Sequence, residues 1–146
     1  MIERVIDGDT VVLRVDGRAR RVRLASIDAP ETGGRDRPGQ DFGQASRRAL
    51  EALVAGRDVA ARCYERDSYQ RDVCDLPLPG GDTANRRQVQ TGMAWANMQG
   101  RGKYLRDPAI AQLERQAREA GAGLWAQAPA VAPWEWRRRC WNQGQC

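Results

Sequence analysis

Apolar residues in the first part of the chain fall in short, strand-like runs. Ile2, Val5 and Ile6, then Val11, Val12, Leu13 and Val15, predict strands over residues 2–6 and 9–15, broken at Asp7-Gly8. Asp16-Gly17 is a two-residue hairpin turn in which glycine tolerates positive φ. The returning strand is expected from Arg18 to Ile27, with Val22 and Leu24 on one face and Arg23 on the other, away from the core. Residues 28–39 are Pro/Gly-rich and read as loop. Phe42, Ala45, Leu50, Leu53 and Val54 predict a helix from Asp41 to Ala55, stopped by Gly56.

Strands are expected again over 58–63 and 71–77, before a turn at Pro77, Pro79, Gly80 and Gly81. Asn85 as N-cap predicts a helix to Met98. Asp107 as N-cap, Pro108 at the first helical position and Gly121 as C-cap predict another to Ala120, with Ile110, Leu113 and Ala117 as its buried stripe. After Trp125 comes an Ala/Pro linker, then Pro133-Trp134-Glu135-Trp136 and a basic tail with two cysteines. This order fits an α+β protein, mainly a five-stranded β-barrel with three packed helices. The expected division is a domain over 1–126 and a tail over 127–146.

Composition narrows the chemistry. A chain of 146 residues with 41% hydrophobic and 29% charged residues reads as one globular domain. No apolar run approaches the roughly 18 residues of a membrane helix, so no membrane role is expected. The chain has no histidine. That excludes Ser–His–Asp and Cys–His catalysis and His-ligated metals, leaving carboxylates, Tyr, Cys, water or a metal for proton transfer. There are 24 basic and 19 acidic residues, a net +5, and Lys103 is the one lysine. That balance suits a polyanion such as nucleic acid; a general bias toward arginine accounts for it equally simply.

Four cysteines form an even set without a C-x-x-C pair, which argues against structural zinc. Cys63–Cys74 and Cys140–Cys146 are the simplest disulfides, with four reduced thiols as the alternative. Met1 runs almost directly into a strand, so either the protein is cytosolic or a leader is left out of the chain. Disulfides would favour a secreted or periplasmic location.

Carboxylates cluster in two blocks: Asp7-Gly8-Asp9-Thr10 and Arg23-Leu24-Ala25-Ser26-Ile27-Asp28-Ala29-Pro30-Glu31. A hairpin separates them, so they can lie side by side. Asp9 and Asp28 could then give oxygen ligands to a hard cation such as Ca²⁺, with a backbone carbonyl and water completing the shell. Glu31, on a loop fixed by Pro30, could hold or deprotonate a water. Arg23 could grip a phosphate bidentately. The plainer reading of either block alone is an Asp-Gly turn and an ordinary loop.

Together the two blocks resemble the staphylococcal nuclease (thermonuclease) family. That family's third block, Asp-x-Tyr-Gly-Arg, has its counterpart in Asp67-Ser68-Tyr69-Gln70-Arg71. Phe42-Gly43-Gln44-Ala45, Asn85…Val89…Gly92-Met93-Ala94 and Ala120-Gly121…Gly123-Leu124-Trp125 extend the likeness over about residues 2–126. The resemblance implies an OB-fold, calcium-dependent nuclease of little sequence specificity, acting on DNA and/or RNA and leaving 5′-hydroxyl and 3′-phosphate ends. It implies Asp9, Asp28 and the Ala29 carbonyl as metal ligands and Glu31 as general base. Arg23 and Arg71 are implied to stabilise the scissile phosphate. Tyr69 is similar to a tyrosine that touches substrate, and Asp7 and Thr10 are expected to stand behind the ligands.

Gln70 stands where the family has glycine; a positive φ there would strain the turn that places Arg71. Tyr104 could be a stacking platform for a base or sugar, or a loop anchor. Trp134 and Trp136 could pack on the barrel or line a nucleic-acid surface, and Arg137-Arg138-Arg139 could add a non-specific phosphate contact. A monomer is expected. The alternatives are a non-catalytic OB-fold nucleic-acid-binding module and a secreted, disulfide-stapled interaction domain; the retained acidic and basic set argues against both.

Overall fold

The structure is a computed structural model describing residues 1–126 and 129–146. Strands β1 (Ile2–Asp7) and β2 (Thr10–Val15) pair antiparallel around Gly8. Helix α1 (Gly43–Val54) packs against this hairpin. Gly8 is where they touch: a Cβ there would lie 1.8 Å from Ser46 Oγ and 2.8 Å from Ala29 Cβ. Gly8→Ala is therefore expected to cost about 1–3 kcal/mol through overpacking, read as a lower midpoint in urea. An unchanged midpoint would show that the hairpin can yield there.

β3 (Arg18–Leu24) returns from the Asp16-Gly17 turn and pairs with β2, burying Val22 and Leu24. The strand expected to reach Ile27 stops at Leu24. Ser26 takes φ +73°, and its Oγ accepts the N–H groups of Arg106 at 2.8 Å and Asp107 at 3.2 Å. The chain resumes as β4 (Ile27–Asp28), which pairs with β7 (Trp95–Ala96). The kink matters because it turns Asp28 out of the β3 line and toward Asp9.

β5 (Arg62–Arg66) begins later than expected and is an exposed edge strand. β6 (Asp72–Asp75) joins it antiparallel and lies parallel to β3, giving the sheet order β1-β2-β3-β6-β5. Cys63 and Cys74 face each other across β5/β6 with their sulfurs at bonding distance, as are those of Cys140 and Cys146.

α2 (Ala84–Gln90) is capped by Thr83, whose hydroxyl accepts Arg86 N–H at 3.0 Å. Asn85 is not the cap. It is buried inside the first turn and its side chain bridges Ala25, Cys74 and Leu76 backbone groups. The helix ends well short of Met98, because Gly92 at φ +72° turns the chain toward β7. α3 (Ile110–Ala120) starts three residues after Asp107 and ends at Gly121 in the left-handed region. Asp107 instead accepts Ala109 N–H and pairs with Arg86 at 2.6 Å.

One core joins the layers: Val11, Val22 and Leu24 of the sheet, Ile27 of β4, Leu50 of α1 and Ile110 of α3. The five-stranded sheet with packed helices is the α+β organisation expected.

Residues 127 and 128, at the expected domain boundary, lie outside the described residues. Beyond them, α4 (Pro133–Trp136) runs into a wider helical turn, Arg137–Asn142. Trp134 packs edge-on against Trp95, centroids 5.6 Å apart, so it belongs to a small apolar cluster. Trp136 and Trp141 both donate their indole N–H to the Pro38 carbonyl at 2.9 Å. This segment thus lies against the loop that carries Glu31.

Candidate active site

The β2/β3 register sets Thr10 opposite Arg23, which brings the two sequence blocks together. Leu24 N–H donates to the Asp9 carbonyl at 2.8 Å and locks that relation. Arg23 then reaches both carboxylates: Nη1 lies 2.8 Å from Asp9 Oδ2 and Nη2 3.2 Å from Asp28 Oδ1. Nη2 also donates to the Ile27 carbonyl at 3.2 Å. Arg23 faces away from the apolar core, as expected, yet its side chain is only 16% exposed and its fork is taken up by carboxylates.

Asp9 is held on every side. Thr10 Oγ1 donates to Oδ1 at 3.0 Å, Ala29 N–H donates to Oδ2 at 2.7 Å, and Asp9 N–H donates to Asp7 Oδ1 at 3.1 Å. Asp7 and Thr10 therefore stand behind Asp9. Burial pushes the Asp9 carboxyl up to about 7, although Arg23 beside it pulls the other way. Burial works against the Arg23 charge, but Asp9 and Asp28 outweigh it and hold the guanidinium protonated.

The raised Asp9 value has a consequence for the ion-free protein. An acid with ordinary value 3.8 that titrates near 7 when folded binds its proton more tightly in the native state. Its contribution to stability therefore falls as pH rises from about 4 to about 7 and is flat above. Melts in EGTA across that range are expected to show this fall in the wild type, and Asp9→Asn should lessen it, leaving the part that comes from Glu31, whose carboxyl is also raised. Parallel profiles would contradict the assignment.

Glu31 lies on the loop after β4. Its N–H donates to Gln40 Oε1 at 3.0 Å and its carbonyl accepts Gln40 N–H at 2.9 Å. α1 begins directly against it: a Cβ on Gly43 would lie 2.2 Å from the Glu31 carbonyl oxygen. Burial raises the Glu31 carboxyl above its usual range, and Arg137 opposes that.

Arg137 is the largest departure from the sequence reading. Its Nη1 lies 2.6 Å from Glu31 Oε1 and its Nη2 2.7 Å from Asp28 Oδ2. The expected phosphate contact by Arg137-Arg138-Arg139 is thus not free at Arg137, and Arg138 pairs with Glu135 at 2.7 Å. Gln99, also unexpected, approaches Asp28 Oδ2 at 3.5 Å.

Arg71 directly precedes β6, two residues before Val73, the partner of Arg23 across β3/β6. Its guanidinium is turned to Asp67, Nε to Oδ2 2.7 Å, and lies under the Tyr69 ring. Gln70 takes φ +66°, the strained conformation its replacement of glycine implies. Tyr69 and Tyr104 are both exposed; Lys103 lies over the Tyr104 ring.

The donor set suits a hard cation. Asp9 and Asp28 offer buried carboxylate oxygens, Glu31 a third nearby, and a guanidinium already stands as a cation between Asp28 and Glu31. Among the described residues no three Asp, Glu, His or Cys side chains converge on one ion position. An ion here would therefore take further ligands from backbone and water.

A family model described as staphylococcal nuclease homologue matches residues 21–127. A protein of Escherichia coli named an uncharacterized endonuclease is 38% identical over 138 residues, covering 94% of this chain and 84% of its own. A micrococcal nuclease of Shigella flexneri is 38% identical, covering 97% of this chain and 81% of its own. A probable staphylococcal-like nuclease of Oryza sativa subsp. japonica is 36% identical over 83% of this chain and 22% of its own.

Proposed function

Because the chain belongs to the staphylococcal nuclease family, whose activity is on nucleic acids, we propose that it is a calcium-dependent phosphodiesterase of little sequence specificity. The observation that carries this reading is that Arg23 bridges Asp9 and Asp28 while Arg137 bridges Asp28 and Glu31, in a chain without histidine.

Asp9, Asp28 and the Ala29 carbonyl would hold Ca²⁺. When bound, the ion supplies Lewis-acid neutralisation of phosphate charge. Glu31 takes a proton from the attacking water; burial holds its carboxyl above the usual range. Arg23 lies between the two aspartates and places positive charge beside the phosphate as its oxygens gain charge. Arg71, released from Asp67, adds a second guanidinium, and Tyr69 touches a flanking phosphate. Tyr104 offers an exposed ring to a base or sugar. Attack in line expels the 5′-oxygen and leaves 3′-phosphate and 5′-hydroxyl ends. The protein works as a monomer, and its paired cysteines suit a secreted or periplasmic setting.

The test is cleavage of labelled DNA and RNA, single- and double-stranded, with Ca²⁺ or EGTA. Cleavage only with Ca²⁺ supports the reading; equal cleavage in EGTA overturns it. One observation favours the non-catalytic binding module instead. The Asp9 and Asp28 oxygens all have arginine, hydroxyl, amide or N–H partners, as in a structural ion-pair cluster. Salt-dependent binding without cleavage under either condition would decide for it.

A further inference from the structure

Arg137 holds oxygens that a cation in this site would need. Asp28 is fully buried. Its Oδ1 faces Arg23 and Arg137 at 3.2 Å each, and its Oδ2 faces Arg137 at 2.7 Å and Gln99 at 3.5 Å. A carboxylate has about four acceptor positions, so Asp28 has none to spare. The other arm of Arg137 occupies Glu31 Oε1 at 2.6 Å.

This contact is carried by a well-anchored tail. Trp136 immediately before Arg137, and Trp141 after it, are both bonded to Pro38, on the loop that bears Glu31. Arg37 of that loop stacks on Trp141, and Gln40 donates to the Val131 carbonyl. The Cys140–Cys146 bridge closes the chain end just beyond. Charge explains why the position is filled: Arg23 pairs with Asp9 and Asp28, and Arg137 supplies the positive charge beside Glu31.

We infer that the tail is a tethered competitor of the metal. Arg137 is the counter-ion of Asp28 and Glu31 in the ion-free protein, and a divalent cation binds only as Arg137 withdraws. The inference rests on the calcium reading above. It makes the ion's apparent affinity depend on the fraction of molecules whose tail is open: a site open one-tenth of the time binds about tenfold more weakly.

The experiment is calorimetric titration of the whole chain with Ca²⁺ alone, without nucleic acid. Arg137→Gln is expected to bind Ca²⁺ more tightly than the wild type, by about tenfold where the wild-type tail is open one-tenth of the time. It should also melt lower in EGTA and gain more on adding Ca²⁺, since its two carboxylates lose their counter-ion. Equal or weaker Ca²⁺ binding by Arg137→Gln overturns the inference. Should that variant not fold without the ion, Trp136→Phe/Trp141→Phe decides in its place. It keeps Arg137 but removes both bonds to Pro38, and must also bind Ca²⁺ more tightly. Ca²⁺ binding equal in all three proteins defeats the competition while leaving the nuclease reading intact. Absence of Ca²⁺ binding in every one defeats both.

Discussion

Glu31→Gln is expected to slow phosphodiester cleavage by about 10²- to 10⁴-fold, the usual contribution of a positioned general base. The amide keeps the shape of the side chain and can still contact Arg137 through its oxygen, but it cannot take a proton from water. Stability should change far less, because the backbone bonds to Gln40 and the close contact with Gly43 hold the loop independently of the carboxylate. The check is single-turnover cleavage at saturating Ca²⁺ beside a urea melt of the same protein. A rate within a few-fold of wild type would remove Glu31 from the chemistry.

The second large effect is on folding. Arg23 is the link between Asp9 and Asp28, both buried. Arg23→Leu deletes the cation but leaves both carboxylates, and removing one partner of a buried ion pair costs about 3–5 kcal/mol. That is a large share of the roughly 5–15 kcal/mol that holds a domain together. In EGTA the variant is expected to unfold at much lower urea than the wild type. Added Ca²⁺ should restore part of the loss, since it supplies the missing positive charge. Arg23→Lys should recover some stability but little activity, because an ammonium cannot reach two carboxylates with one rigid fork. An Arg23→Leu midpoint in EGTA equal to wild type would show that the aspartates are not relying on Arg23.

What was legible in the sequence was local. The Asp7–Thr10 and Arg23–Glu31 blocks are separated by one hairpin, so adjacency follows from strand pairing alone, and the Thr10–Arg23 register delivers it. Core positions such as Val22 and Leu24 follow from the same alternation. Ser26 was not legible: its positive φ is held by Arg106 and Asp107, far along the chain. Thr83 and Asn85 are both good caps by type, and only the tertiary bonds of Asn85 to Ala25 and Cys74 decide between them. Arg137 was least legible of all. It meets Glu31 across 106 residues, and nothing local separates it from Arg138 and Arg139. Two tryptophans on one carbonyl select it, and that is a property of the packed tail.

The carboxylate–arginine cluster of Asp9, Arg23, Asp28 and Glu31 is proposed to cleave phosphodiester bonds with calcium. The most direct measurement is end-group analysis of single-stranded DNA cut by the purified protein in Ca²⁺, with Glu31→Gln prepared identically as the control. The expected result is 5′-hydroxyl and 3′-phosphate ends that appear with the wild type, vanish in EGTA and nearly vanish with the variant. The same products at the same rate from Glu31→Gln, or cleavage undiminished in EGTA, would contradict it.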